Sequence, residues 1–148
     1  MTIQIVRFNP VHLDGFDLQD AQAWMQQSIQ DPAYTKTLAD CKHCFTAIAD
    51  GVPMFCGGVM EIWPGRGLAW ALVHKQAGQH MHAIVRSVRG FMQCTEFTRI
   101  EALVDDDFKQ GVQLMRLLGF KQEAVMQSFN PNGSDCRLFS RVKPCQPS

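Results

Sequence analysis

Apolar positions in this chain follow two periods, and the switches between them outline the expected architecture. Residues 68–73 (LAWALV) form an unbroken apolar run, short and bulky enough for a strand buried on both faces. A polar link with one glycine, HKQAG at 74–78, comes next. Met81, Ile84, Val85, Val88, Phe91 and Met92 then recur at helical spacing, which turns one face of a helix toward a core. Over 98–104 the pattern alternates, with Ile100, Ala102 and Val104 on one side, as in a strand. A second helix over about 108–118 stops at Gly119, a residue suited to a left-handed C-terminal turn. Strand, helix, strand, helix in that order is a βαβα unit, whose crossover is nearly always right-handed and makes its two strands parallel neighbours.

The flanking segments add shorter elements. Ile3, Ile5 and Val6 predict a first strand that Asn9-Pro10 ends. A helix starting at Asp17 or Asp20 would carry Ala21, Trp24, Met25 and Ile29 on one face. Asp31-Pro32 reads as an N-cap followed by proline at the first helical position, opening a short helix to residue 39. Strands are expected at 44–49 and 52–62, joined by the hairpin turn Asp50-Gly51. Gly57-Gly58 inside the second of them marks a bulge or a close backbone approach. Trp63-Pro64-Gly65-Arg66-Gly67 is a turn into the 68–73 strand. After the βαβα unit, 121–129 and 136–142 read as antiparallel strands around the turn Asn130-Pro131-Asn132-Gly133. The expected fold class is therefore α+β, a mixed sheet of six to seven strands with flanking helices. A single domain is expected over 1–143, with a loose tail at 144–148 that carries two prolines.

Composition narrows the function classes. The 148 residues fit one domain with a sizeable core. Lys plus Arg and Asp plus Glu balance at 14 each, so no nucleic-acid partner is expected from charge. No apolar run approaches the ~20 residues of a membrane span. The start, MTIQIVRFNP, lacks the basic and apolar regions of a secretory signal, and a cytoplasmic location is expected. Six cysteines include Cys41-Lys42-His43-Cys44, a spacing that serves zinc or a dithiol. No second pair completes four ligands, so reduced thiols and no metal are expected.

Gly78 stands where the 68–73 strand gives way to a helix, and a helix N-terminus with free N–H groups suits a pyrophosphate. Leu117-Leu118-Gly119-Phe120 ahead of a strand resembles the corresponding ending in the GNAT (Gcn5-related N-acetyltransferase) superfamily, over residues 43–143 or so. The combination of WPGRG, IEALVDDDF, LLGF and NPNGSDCRLFSRV is similar to a phage-encoded branch of it, which a small internal virion protein of short-tailed phages also resembles. The resemblance implies acetyl-CoA as a substrate and a small-molecule or protein amine as acceptor. It implies pantetheine bonds from the backbone of Leu72, Val73 and His74. Phosphates would meet the N–H groups of Ala77, Gly78, Gln79, His80 and Met81, with Lys75 adding charge. The family's Gln/Arg-x-x-Gly-x-Gly/Ala loop aligns with Lys75-Gln76-Ala77-Gly78-Gln79-His80, and His80 in place of a small residue would crowd the cofactor. The usual Asn falls on Phe108 and the usual Tyr acid on Met115, neither of which donates a proton.

Glu61 and Glu101, on predicted strands, are the candidate bases, because burial there would raise a carboxylate's pKa. His74, His80 and His82 gather at the strand–helix junction without facing one another. Among Asp105-Asp106-Asp107, Asp107 is expected to cap the following helix. Arg86, Arg89 and Arg99 read as surface charges, and Trp63, Trp70 and Phe91 as core. Two classes stay open: an acyl-CoA N-acyltransferase, or a non-enzymatic phage protein that keeps the fold and contacts other virion proteins or the host. Fold does not choose between them.

Overall fold

The computed structural model describes residues 3–143; the 144–148 tail and its Cys145 lie outside them. The strands are β1 (Ile3–Arg7), β2 (His43–Ala49), β3 (Val52–Trp63), β4 (Arg66–Val73), β5 (Arg99–Asp105), β6 (Lys121–Met126) and β7 (Cys136–Val142). The α-helices are α1 (Pro32–Ala39), α2 (Met81–Cys94) and α3 (Lys109–Leu117). The strands form one seven-stranded sheet in the order β1-β2-β3-β4-β5-β7-β6. Every pairing is antiparallel except β4–β5, the parallel pair expected from the βαβα pattern. Among the described residues no helix is long and apolar enough to cross a membrane.

Local chemistry accounts for the boundaries. Asp50 and Gly51 both take positive φ (51° and 79°), the geometry of a type I′ turn that matches strand twist. The Asp31 side chain accepts from the Ala33 amide at 3.0 Å and Pro32 follows as the first helical residue, so α1 starts as expected. Gly119, at φ 87°, ends α3 while the Phe120 amide donates back to the Met115 carbonyl. The ladder runs unbroken through Gly57 and Gly58, which mark close approach and not a bulge.

Three expectations fail. Residues 20–30 form 3-10 turns at Asp20–Met25 and Ser28–Gln30, not one α-helix, and Trp24 is 71% exposed. Asp20–Met25 buries no residue, so no apolar stripe holds an α-helix there; glutamine side chains bond to distant backbone instead. Trp63 is 57% exposed and carries the Arg66 guanidinium over its ring at 4.4 Å. Asp107 does not cap α3: Phe108 occupies that place without a side-chain bond, while Asp106 accepts from Arg137 and Asp105 from Asn130.

Two apolar clusters sandwich the sheet. On one face Ile84, Val88 and Met92 of α2 and Val112 of α3 pack on Val59, Ile100, Ala102 and Phe139. On the other, Phe8, Leu13, Phe16, Ile29 and Leu38 cover Cys44, Cys56 and Leu72. Between them β4 and β5 stay together for three register pairs only, Arg66↔Arg99, Gly67↔Ile100 and Leu68↔Glu101. The Glu101 carboxylate, accepting from Arg66 and from Arg99 (3.2 Å), ties this closed end. Beyond Leu68 the strands part.

Candidate functional site

The parting of β4 and β5 leaves a cleft of about 650 Å³. Met81, Val85 and Phe91 of α2, with Leu114 and Met115 of α3, line it from one face of the sheet. Trp24, Met25 and Tyr34 line it from the other, so the cleft is walled from both faces. A smaller polar recess beside it is formed by Asp20, Lys75, Asp105, Asp107 and Asn132.

Which backbone groups face the gap follows from the register with β3. In an antiparallel ladder alternate residues turn their N–H and C=O to the same neighbour. The His74 amide donates to the Met54 carbonyl at 2.9 Å, and Leu72, two residues earlier, pairs with Cys56. These two therefore bond toward β3, and Ala71 and Val73 face the gap. Of the three residues expected to meet a pantetheine, Val73 is the one whose polar groups point there. They already have partners. The Val73 amide donates to Gln22 Oε1 at 3.0 Å, and its carbonyl accepts from the Gln19 amide at 2.9 Å. Gln22 Nε2 donates to the Ala71 carbonyl at 2.7 Å.

At the expected phosphate site the chain makes a 3-10 turn, Gly78–His80, before α2 begins at Met81. The Ala77 amide donates to His74, the His80 amide to Ala77 and the Met81 amide to Gly78. Within Ala77 to Met81 this leaves the Gly78 and Gln79 amides outside the turn's own bonds. Gly78, Lys75 and Met81 line the cleft, and a Cβ added at Gly78 would meet nothing within 4 Å. His80 is 7% exposed and is not part of the lining, so it does not crowd the cleft. Lys75 Nζ lies 3.8 Å from Asp20 Oδ1, both side chains exposed, a weak pair that leaves the ammonium available.

Neither candidate base survives. Glu61 is exposed at the outer end of β3. Glu101 is buried at the closed end, and hydrogen bonding to Arg66, with Arg99 behind it, pulls its carboxyl below the usual range. The histidines do not converge: His74 Nδ1 accepts from the Gln76 amide at 3.0 Å, and His82 meets Arg86 at 3.1 Å. Arg89 binds the Leu117 carbonyl, and Arg99, partly exposed, links Glu101 to Glu123. Met115 and Phe108, where the sequence resemblance implied the acid and the Asn, both line the cleft. Cys41 and Cys44 are free thiols donating to the Thr37 and Cys41 carbonyls, and among the described residues no group of three or more His, Cys, Asp or Glu could hold a metal.

Tyr34 is the residue that sequence reasoning passed over. It is the chain's single tyrosine and, among the described residues, brings the cleft's one hydroxyl side chain. Burial raises its phenol above the ordinary value, so it is protonated at neutral pH. Its place in the first turn of a short helix gave no sign of this; its uniqueness was the only available signal.

No protein-family model and no curated protein matches the chain. Solved structures do match. Ard1 from Thermoplasma volcanium is 11% identical, with 96% of this chain and 98% of that one covered at a TM-score of 0.76. A GNAT-family acetyltransferase from Bacillus anthracis is 11% identical, covering 96% and 95% at 0.70. The putative acetyltransferase yncA from Salmonella typhimurium, solved with its cofactor acetyl-CoA, is 9% identical, covering 100% and 98% at 0.74. At such identities the likeness speaks to fold: the chain has the GNAT acetyltransferase fold.

Proposed function

We propose that a chain with this fold and this cleft is an acyl-CoA N-acyltransferase, taking acetyl-CoA and a small-molecule or protein amine. One observation carries the reading: a parallel pair that parts to leave a cleft walled from both faces of the sheet. Acyl transfer brings two reactants to one carbon, and a cleft lined from both faces of the sheet offers a wall to position each of them. The gap-facing edge at Ala71 and Val73 would hold the pantetheine, and the Gly78 and Gln79 amides with Lys75 the diphosphate. The amine nitrogen attacks the thioester carbon, a C–N bond forms, the C–S bond breaks, the departing thiolate takes a proton, and the proton that the nitrogen sheds restores the donor. Tyr34 is the cleft's donor for that proton. The yncA structure, solved with acetyl-CoA, supports the choice of acyl donor.

Calorimetric titration with acetyl-CoA tests the proposal. Saturable heat is expected, and Gly78→Trp, which projects a ring into open space at the cleft, weakens it about tenfold or more, the equivalent of ~1.4 kcal/mol. Absence of heat from both the parent and a Gln22→Ala variant, whose Ala71 carbonyl and Val73 amide are freed, refutes it.

A second reading has its own support. Gln22 and Gln19 already satisfy the edge a cofactor would use, and Met115 and Phe108 stand at the family's acid and Asn positions. With the sequence likeness to the phage branch, this favours a non-enzymatic phage or prophage protein of the host cytoplasm or virion. The same titration separates the two.

A further inference from the structure

The contacts of Gln22 have the pattern of a strand. In a parallel ladder a residue donates its N–H to the carbonyl preceding its partner and accepts from the amide following it. Gln22 Nε2 donates to the Ala71 carbonyl at 2.7 Å, and Gln22 Oε1 accepts from the Val73 amide at 3.0 Å. One side-chain amide thus pairs with β4 as a strand residue opposite Leu72 would. The register at the closed end, Leu68↔Glu101, would put Asp105 in that position had the strands stayed together. The strands have parted, and Gln22 supplies the amide that β5 withdrew.

We infer that Gln22 is a built-in competitor for the cleft's ligand: its amide closes the β4 edge and must leave before an extended, amide-bearing chain can pair there. Only the identity of the displacing ligand rests on the acyl-CoA reading; the closure rests on hydrogen bonds alone. The closing segment is also built to come away. Asp20–Met25 buries no residue, and its Trp24 lies mostly in solvent. Backbone bonds tie only its start to β4, from the Gln19 amide to the Val73 carbonyl (2.9 Å) and from the Lys75 amide to the Asp17 carbonyl (2.7 Å). Past Gln19, side-chain amides hold it, Gln19 Nε2 donating to Gln22 Oε1 at 3.1 Å and Gln26 bonding the Phe16 carbonyl and the Leu18 amide. A segment with few buried apolar contacts opens at low free energy. An incoming amide also replaces the two Gln22 bonds like for like, so little is lost in the exchange.

Coenzyme A itself is the probe, titrated calorimetrically into the parent, Gln22→Ala and Gln22→Glu, with amide hydrogen exchange followed in each by NMR. Gln22→Glu keeps an acceptor for Val73 but turns an oxygen on the Ala71 carbonyl, so it half-opens the edge. Expected are affinity about tenfold tighter in Gln22→Ala, the worth of two ordinary hydrogen bonds no longer displaced, and a smaller gain in Gln22→Glu. Exchange at Val73 accelerates, while Ile84 and Val88 keep their protection and report an intact fold. Coenzyme A binding that is unchanged or weaker in Gln22→Ala overturns the inference. If coenzyme A binds neither parent nor variant, Val73 decides. Faster exchange there sustains the closure and sinks the acyl-CoA reading; unchanged exchange overturns the closure.

Discussion

Two glycine-to-alanine substitutions should move stability in opposite directions. Gly58 lies in β3 opposite Cys44 of β2. A Cβ built there would sit 2.6 Å from the His43 carbonyl oxygen, 2.8 Å from Cys44 Cβ and 2.9 Å from Cys44 Cα. None of these atoms ends a flexible side chain, so relief requires β2 and β3 to separate in the middle of the sheet. Overpacking of this kind costs about 1–3 kcal/mol. Gly90 sits in α2, exposed, with nothing within 4 Å of an added Cβ. There alanine removes backbone freedom from the unfolded chain and is worth about 0.5–1 kcal/mol of added stability. For a chain of this size each kcal/mol moves Tm by roughly 2–4 °C, which sets the two variants several degrees apart on either side of the parent. Urea denaturation gives the free energies, and an unchanged m-value confirms that the folded state is what moved. Gly58→Ala at or above parental stability would refute the steric argument, and so would Gly90→Ala falling below it.

Acid should weaken the β6–β7–β5 edge. Hydrogen bonding to Arg99, then to Ser140, lowers the Glu123 carboxyl from 4.5 to about 2. Its contribution is therefore present above pH 4.5 and fades as pH falls from there through about 2; Glu123→Gln should flatten the urea midpoint over that window, and an unaltered profile counts against the network. Native alkylation at neutral pH should modify Cys94, which is exposed, and spare Cys56, whose thiol burial pushes up to about 12; peptide mass mapping showing equal rates would contradict this. On the proposed acyltransferase reading, Tyr34→Phe cuts acetyl transfer about 100-fold with KM for acetyl-CoA kept, read by thiol release; a rise in KM alone would assign Tyr34 to packing.

Local patterns determined the elements of this protein because their causes lie within a few residues. Asp31-Pro32 starts α1, Asp50-Gly51 turns the β2–β3 hairpin, and Gly119 stops α3 through its own φ. The period switch across 68–104 was enough to make β4 and β5 parallel, since crossover handedness leaves little choice. The site lay beyond that reach. Whether Leu72 or Val73 offers its amide to the gap depends on the register β4 adopts against β3, and no property of residues 72–74 carries that parity. Apolar spacing made 17–29 look like one helix, but amides reaching 49 and 51 positions along the chain, from Gln22 to Ala71 and Val73, govern its path. Glu101 looked like a base from its strand, and Arg66, brought in from 35 residues away, made it an ion-pair anchor instead. Strand and helix are written in near neighbours. The cleft, its closure and its one phenol come from contacts that only the folded chain brings together.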